Sequence, residues 1–305
     1  MFLGIDIGGT NIKAGVLDSN NRLSDIQSLN TEAEKGYYYV LYKITDLIKT
    51  FIDNNNILSI GIGVPGVVTN DGIIKIAPNL PSWNDINLIA DIGNYISIPI
   101  AIDNDANAAA LAEMQLGAGA GFTDFIYITM GTGIGGAIIT EHKIFRGTYG
   151  SAGEIGHTII DCANVNSESG TGTLEGKCGK NAILNYAKQQ LMQNPSSLLN
   201  QIKDFEVKSI SECAEKGDET SLKILQDIGY YLGIGLASAM NLLDMDKVVI
   251  GGGISLSHHA MFDSAMSVIR ERTLPNISQN AVIRKAHFGN EAGTIGAALL
   301  GKRFL

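Results

Sequence analysis

With 305 residues the chain is long enough for two domains, each with its own core. Its 45% hydrophobic and 17% charged residues argue against a disordered chain. Its 22 Lys and Arg against 31 Asp and Glu, a formal charge of -9, argue against nucleic acid and anionic membranes as partners. Any phosphate bound to such a surface is held by backbone amides, a metal ion and a few local charges, so small phosphorylated ligands are the natural expectation. Cys162, Cys178 and Cys213 form neither a CxxC pair nor an even-numbered framework. They fit a reducing compartment. The opening Met-Phe-Leu-Gly-Ile-Asp does not read as a signal peptide, and no run of about 18 uninterrupted apolar residues predicts a membrane span. The expected location is cytoplasmic.

Residues 2–18 read as two apolar strands joined through Gly8, Gly9 and Thr10, because alternation resumes at Ile12, Ala14 and Val16. A dinucleotide fingerprint would instead open into a helix. A turn at 18–21 leads to a third strand from Arg22. Apolar residues at Val40, Leu41, Ile44, Leu47, Ile48, Phe51 and Ile52 predict a helix over 39–52 with one core-facing stripe. Residues 57–68 alternate glycine with branched side chains, a pattern that permits close approach of another backbone. Asn70-Asp71-Gly72 predicts a hairpin turn, 73–76 its return strand, and 77–83 a rigid loop ending at the only tryptophan, Trp83. An acidic helix follows over 87–95, then a short buried strand over 98–102 and an alanine-rich helix over 106–116.

Residues 117–121 are the best candidate linker. Residues 125–140 repeat the opening design of strand, glycine loop and strand, which suggests duplication. The glycine-rich stretches 150–157 and 167–175 lack periodicity and read as loops. Helices dominate 181–243, a strand and glycine loop occupy 247–255 and precede a further helix, and a small-residue helix over 289–300 closes the chain.

Asp103, Asn104 and Asp105 fall at a strand-to-helix corner, where ligands collect in open α/β sheets. The same run would also serve as a plain helix cap. Three glycine loops, at 8–10, 131–136 and 251–253, follow apolar strands. Each is explained singly by a tight turn, but together they suit amide groups gathered around phosphate oxygens. Asp6 beside the first loop could hold Mg²⁺, directly or through water.

Six motifs taken together resemble the ROK family of sugar kinases and repressors: Asp6-Ile-Gly-Gly-Thr10, Asn104-Asp105-Ala-Asn107, Gly131-Thr-Gly-Ile-Gly-Gly136, Gly153-Glu-Ile-Gly-His157, Val248-Val-Ile-Gly-Gly-Gly253 and Ala292-Gly-Thr-Ile-Gly-Ala297. The resemblance implies an α/β, two-lobed, actin-like fold of the duplicated ribonuclease H-like type, with the site in the interdomain cleft. Its smaller lobe would be 1–117 completed by a helix over 293–305, and its larger lobe 118–292. It implies ATP with Mg²⁺ at Asp6, Gly8, Gly9, Thr10, Lys13, Thr132, Gly133, Gly252 and Gly253, and a hexose at Gly66, Asn79, Asn104, Asp105, Glu154, His157 and Glu175. Asp105 would be the general base that accepts the sugar hydroxyl proton.

In many relatives the histidine matching His157 binds a structural zinc with three cysteines. Here Asn166, Glu168 and Thr173 stand where those cysteines would, and Cys162 and Cys178 do not restore the spacing. No zinc is expected. His157 is left as a sugar ligand or a buried, hydrogen-bonded histidine.

The implied activity is transfer of the γ-phosphoryl group of ATP to the 6-hydroxyl of a hexose. The 79–83 segment and the Gly-Glu-Ile-Gly-His run look most like the family's glucokinases. N-acetylmannosamine, another hexose or a glucoside stays open as acceptor, and polyphosphate or ADP as donor. A repressor reading would need an N-terminal helix-turn-helix for which the position of Asp6 leaves no room, and an intact Asp105 speaks against a silent sensor. A homodimer through the larger lobe and domain closure on sugar are further expectations of the resemblance.

Overall fold

A computed structural model describes residues 1–164 and 170–303. The chain begins with β1 (Phe2–Ile7), β2 (Asn11–Leu17), β3 (Leu23–Asn30), α1 (Tyr37–Asn54), β4 (Ser59–Val64), β5 (Val67–Val68) and β6 (Ile74–Ile76). It continues with α2 (Leu88–Gly93), β7 (Ile100–Asn104), α3 (Asp105–Leu116), β8 (Phe125–Met130), β9 (Ile134–Thr140) and β10 (Lys143–Phe145). Then come α4 (Leu174–Cys178), α5 (Lys180–Gln193), α6 (Val207–Glu215), α7 (Glu219–Leu243), β11 (Lys247–Gly251), α8 (His259–Arg272), α9 (Pro275–Asn280), β12 (Val282–Lys285) and α10 (Ala292–Lys302). Two compact units result. The first is Met1–Gly121 with Ala137–Ala152 and Asn290–Leu305; the second is Phe122–Gly136 with Gly153–Gly289. The sequence reading puts 118–292 in the second lobe, whereas 118–121, 137–152 and 290–292 lie with the first unit.

In the first unit the sheet order is β3-β2-β1-β4-β7. β1 pairs antiparallel with β2, from Phe2 opposite Leu17 to Ile7 opposite Ile12, and parallel with β4, which pairs parallel with β7. Strands buried on both faces need no polar alternation, and every residue of β4 is buried. What alternates along β4 is size. Ile60 and Ile62 join one core with Val40, Ile44, Ile48 and Phe51 of α1, while the glycines face the other way. There α10 lies so close that a Cβ on Gly61 would stand 1.7 Å from the Ala297 carbonyl oxygen, and one on Gly296 would stand 1.6 Å from that of Ala108 in α3. Gly61 is thus a site of the close backbone approach that the sequence pattern predicts, whereas a Cβ on Gly63 would make only an ordinary contact, 3.4 Å from the Ala108 Cβ.

In the second unit β11 lies between β8 and β12 and runs parallel to both, with Val248 opposite Ile126 and opposite Ile283. Its residues Val248–Gly251 are buried, as a central strand covered on both faces requires. The long α7 packs on α8 through glycines: a Cβ on Gly229 would come within 2.0 Å of the Met261 carbonyl oxygen. β9 carries the chain from the second unit into the first and pairs antiparallel with β10, Thr140 opposite Lys143.

The predicted strands and helices of 2–116 are present, with α1 starting two residues earlier than the stripe indicates, at Tyr37. Four elements depart from the sequence reading, one of them α9, which lies where no element was assigned. β10 and β12 were not expected, because three and four residues of mixed exposure carry no readable alternation. The 167–175 stretch, read as loop, gives way to α4 at Leu174, where Thr173 caps the helix by accepting the Gly176 N–H at 3.0 Å. Among the described residues no helix is long and apolar enough to cross a membrane.

Candidate functional site

The corner predicted at 103–105 is built as a true strand-to-helix junction. Asn104 ends β7 with extended backbone (φ -60°, ψ 147°) and Asp105 is the first residue of α3. The Asn104 Oδ1 accepts from the backbone N–H of Ala106 at 2.8 Å and of Asn107 at 3.1 Å. The capping reading of this run is therefore correct for Asn104. Its Nδ2 donates to the Gly66 carbonyl at 2.8 Å, which joins two predicted sugar-site residues. Gly66 must be glycine, since φ is +101° and a Cβ would meet the Ile76 oxygen at 2.1 Å. Asp105 presents its carboxylate at the helix start, where Oδ1 accepts the Ala106 N–H at 2.8 Å.

The first glycine loop is more constrained than an amide cradle requires. The Gly8 N–H goes to the Asn11 carbonyl at 2.8 Å. Thr31, fully buried, clamps the loop from β3's end: its Oγ1 donates to the Gly8 carbonyl at 2.6 Å and its N–H to the Thr10 carbonyl at 2.7 Å. Gly9 lies against Asn79, whose carbonyl oxygen a Cβ would meet at 2.9 Å, so the loop and a predicted sugar residue are in contact. Thr10 is exposed. Asp6 stands opposite Lys13 in the β1–β2 register, and the Lys13 Nζ lies 3.3 Å from the Asn290 carbonyl. A Cβ on Gly293 would fall 2.4 Å from Asp6 Oδ2, so only glycine lets α10 begin against that carboxylate. Burial pushes the Asp6 carboxyl up to about 6, and Lys13 offsets part of the rise.

The other predicted residues belong to the second unit. Glu175, in the first turn of α4, accepts the Ile134 N–H on Oε2 at 2.7 Å, and a Cβ on Gly133 would stand 2.4 Å from the same oxygen. The carboxylate therefore sits on the second glycine loop. Glu154 has His157 Nε2 at 3.9 Å from its Oε2. Burial raises the Glu154 carboxyl above its ordinary range, with His157 pulling it back and Glu175 adding to the rise. Glu154, His157 and Glu175 thus form one polar group beside Gly133. His157 is not the buried histidine of the alternative reading: its side chain is 76% exposed.

A cavity of about 320 Å³ brings Thr132 and Gly253 together with Lys180, Glu206, Val207 and Leu256. Lys180 Nζ and Glu206 Oε1 pair across 3.1 Å in its wall. Gly252, at φ +80°, packs its Cα on Met130, where a Cβ would lie 2.3 Å from the carbonyl oxygen; its glycine is required by the turn itself.

Sequence reasoning missed Thr31, Asp103 as a buried acceptor, Arg146, and the Lys180–Glu206 pair. None lies in a glycine motif, and the pairs Thr31–Gly8, Asp103–Arg146 and Lys180–Glu206 join residues distant along the chain. Asn166 and Glu168, part of the zinc comparison, lie outside the described residues. Thr173 is committed to capping α4.

The sequence profile of the ROK family matches residues 2–303. A glucokinase of Halalkalibacterium halodurans is 32% identical over 99% of this chain and 95% of its own length. The crystal structure of a ROK family glucokinase from Streptomyces griseus, in complex with glucose and AMPPNP, superposes with a TM-score of 0.84 at 31% identity, covering 99% of each chain. A xylose repressor of Caldicellulosiruptor bescii is 31% identical over 79% of this chain and 61% of its own. The fold class is the α/β, two-lobed, actin-like one expected from the motifs.

Proposed function

Because the chain belongs to the ROK family, we propose that it is an ATP-dependent hexose kinase, with glucose as acceptor and the 6-hydroxyl as the attacking group. The observation that carries this reading is the corner at Asn104 and Asp105. One amide side chain both caps α3 and grips the Gly66 carbonyl, so the carboxylate next to it is presented from a fixed backbone. A carboxylate held at hydrogen-bond reach of a hydroxyl accepts its proton as the oxygen attacks, a contribution of roughly 10²–10⁴ in rate.

Asn104, Asn79, Glu154, His157 and Glu175 supply both donors and acceptors, as a polyol requires. Gly66 contributes backbone. Thr132 and Gly253 line the cavity proposed for the nucleoside end of ATP, and Gly8, Gly9, Thr10, Lys13, Gly133 and Gly252 are the residues proposed for its phosphates.

Among the described residues no group of three or more His, Cys, Asp or Glu is placed to hold a metal ion. Mg²⁺ arriving with its nucleotide takes one or two carboxylates and fills its shell with phosphate oxygens and water. Asp6 is the carboxylate that would hold it. Bound there, Mg²⁺ offsets charge on the transferring phosphoryl group. Lys13 keeps a positive charge beside Asp6 when the cation is absent.

A coupled ADP-release assay with MgATP over a panel of hexoses and N-acetylhexosamines tests this reading. Turnover highest on glucose is expected. Preference for another sugar keeps the mechanism and replaces the acceptor. No sugar-dependent ADP release anywhere on the panel contradicts kinase activity and favours a sugar-responsive regulator.

A further inference from the structure

Directly behind the corner lies a group with no assigned role. Asp103 precedes Asn104 in β7 and is fully buried. Its Oδ1 accepts from the Asn104 N–H at 2.8 Å, from Asn107 Nδ2 at 2.9 Å and from Arg146 Nη1 at 3.0 Å, and Arg146 Nη2 donates to Oδ2. Both oxygens are engaged, and the guanidinium meets the carboxylate through two parallel bonds, the most directional form of this pair. The donors Asn104 and Asn107 bracket Asp105 in sequence. Asp103 thus fixes the backbone just before Asp105 and the helical turn just after it.

Two costs accompany this arrangement. A buried ion pair is a weak source of stability, because desolvation offsets much of the Coulomb attraction. Among the described residues Asn107 Oδ1 is also buried without a hydrogen-bond partner. Turning that amide over would aim its oxygen at the Asp103 carboxylate, so the carboxylate dictates the orientation and leaves the acceptor orphaned. An apolar core at this place would avoid both costs. What it could not do is hold the corner in one position.

Arg146 comes from the segment following β10, 43 residues away along the chain. That segment is itself pinned. The Ala152 N–H returns to the Arg146 carbonyl at 3.2 Å, Asn70 Nδ2 lies 3.3 Å from the Gly147 and Thr148 carbonyls, and Gly150 packs on Val68 so closely that a Cβ would stand 2.0 Å from its oxygen.

We propose that Asp103 and Arg146 are a positioning pair, which hold the Asn104–Asp105 corner so that the Asp105 carboxylate meets the attacking hydroxyl in line. The proposal rests on Asp105 being the general base. Misplacement of a reacting group by about 1 Å costs roughly 100-fold in rate, whereas nucleotide affinity and the sugar contacts assigned to Asn79, Glu154, His157 and Glu175 come from residues that the pair does not hold.

The test compares Arg146→Met, Arg146→Lys, Asp103→Asn and Asp105→Ala with the wild-type protein. Steady-state kinetics are measured on the hexose that the wild type phosphorylates, and calorimetry gives sugar affinity and binding stoichiometry. Arg146→Met is expected to lower kcat about 100-fold, with KM values within about threefold of wild type and full stoichiometry of sugar binding. Arg146→Lys keeps one charged donor and is expected to recover about tenfold of that loss. Asp103→Asn preserves the volume and one acceptor, and is expected to lower kcat by about tenfold with unchanged KM; it decides the matter if Arg146→Met does not fold. A kcat per sugar-binding site within about twofold of wild type in the folded variants overturns the pairing. A loss that appears only in the fraction of protein able to bind sugar also overturns it, since that is a purely structural effect. Asp105→Ala separates the two readings: near-normal turnover there removes the base assignment, whereas a silent Asp105→Ala beside a normal Arg146→Met removes only the positioning pair.

Discussion

Two glycine-to-alanine substitutions, chemically identical, should fail in opposite ways. At Gly61 the new methyl group would stand 1.7 Å from the Ala297 carbonyl oxygen and 2.8 Å from the Gly301 nitrogen, both backbone atoms of α10. A normal contact needs roughly 3.5 Å, so the helix must move bodily from a sheet that it covers. Such overpacking costs about 3 kcal/mol or more, which for a chain of this size lowers Tm by roughly 6–12 °C. At Gly133 the methyl group would meet the Glu175 carboxylate at 2.4 Å. Here the obstacle is the far end of a flexible, partly exposed side chain, which can swing into water. The fold loses one charge-assisted bond, to the Ile134 N–H, and hydration of the carboxylate returns part of it, for a net cost of about 1 kcal/mol and a Tm change of about 2–4 °C. If Glu175 serves the sugar as proposed, its displacement is expected to cost one such bond, about 1.5–3 kcal/mol, and to lower kcat/KM for glucose by about 10- to 100-fold. The assay is a thermal melt of each variant beside glucose kinetics. A Gly133→Ala protein with wild-type kcat/KM would refute the role of Glu175. A melt as low as that of Gly61→Ala would refute the distinction between backbone and side-chain obstruction.

Thr31→Val deletes the hydroxyl that holds the Gly8 carbonyl while preserving shape, and is expected to cost about 1 kcal/mol of stability and to raise the KM for ATP about fivefold. Unchanged nucleotide KM would detach this clamp from phosphate binding. Asp6 carries a pH signature. Its folded-state value of about 6 exceeds the ordinary 3.8, so the native state binds the proton more tightly. This group therefore favours folding at low pH, and the advantage is lost as pH rises from about 4 to about 6, up to roughly 3 kcal/mol in all. In chelator without Mg²⁺, Asp6→Asn should melt several degrees above wild type at pH 7.5 and level with it at pH 4, while losing activity. A Tm difference independent of pH would refute the assignment.

The sequence made the corner legible because strand and helix periodicities meet there within a few residues, and an Asn-Asp pair has few other uses at such a junction. Gly61, within the alternating stretch 57–68, was legible as a close approach, although not as contact with α10, since the partner lies more than 200 residues away. Longer-range pairing explains what was missed. Nothing near Arg146 marks it as the counter-ion of Asp103, and Thr31 looks like any strand-end threonine. Glycine loops mislead in a specific way: Gly9 and Gly252 are glycine because Asn79 and Met130 crowd them, quite apart from any ligand. Short edge strands such as β10 and β12 escape because half-exposed segments need not alternate.

Asp105 is the residue proposed to drive phosphoryl transfer to a hexose. Glucose-dependent ADP release by wild-type protein and by Asp105→Ala, on samples whose glucose binding has been measured by calorimetry, tests this role most directly. The expected result is brisk glucose-dependent release by the wild type, a fall of about 10²–10⁴ in the variant, and glucose affinity little changed. Equal turnover by both proteins would contradict it.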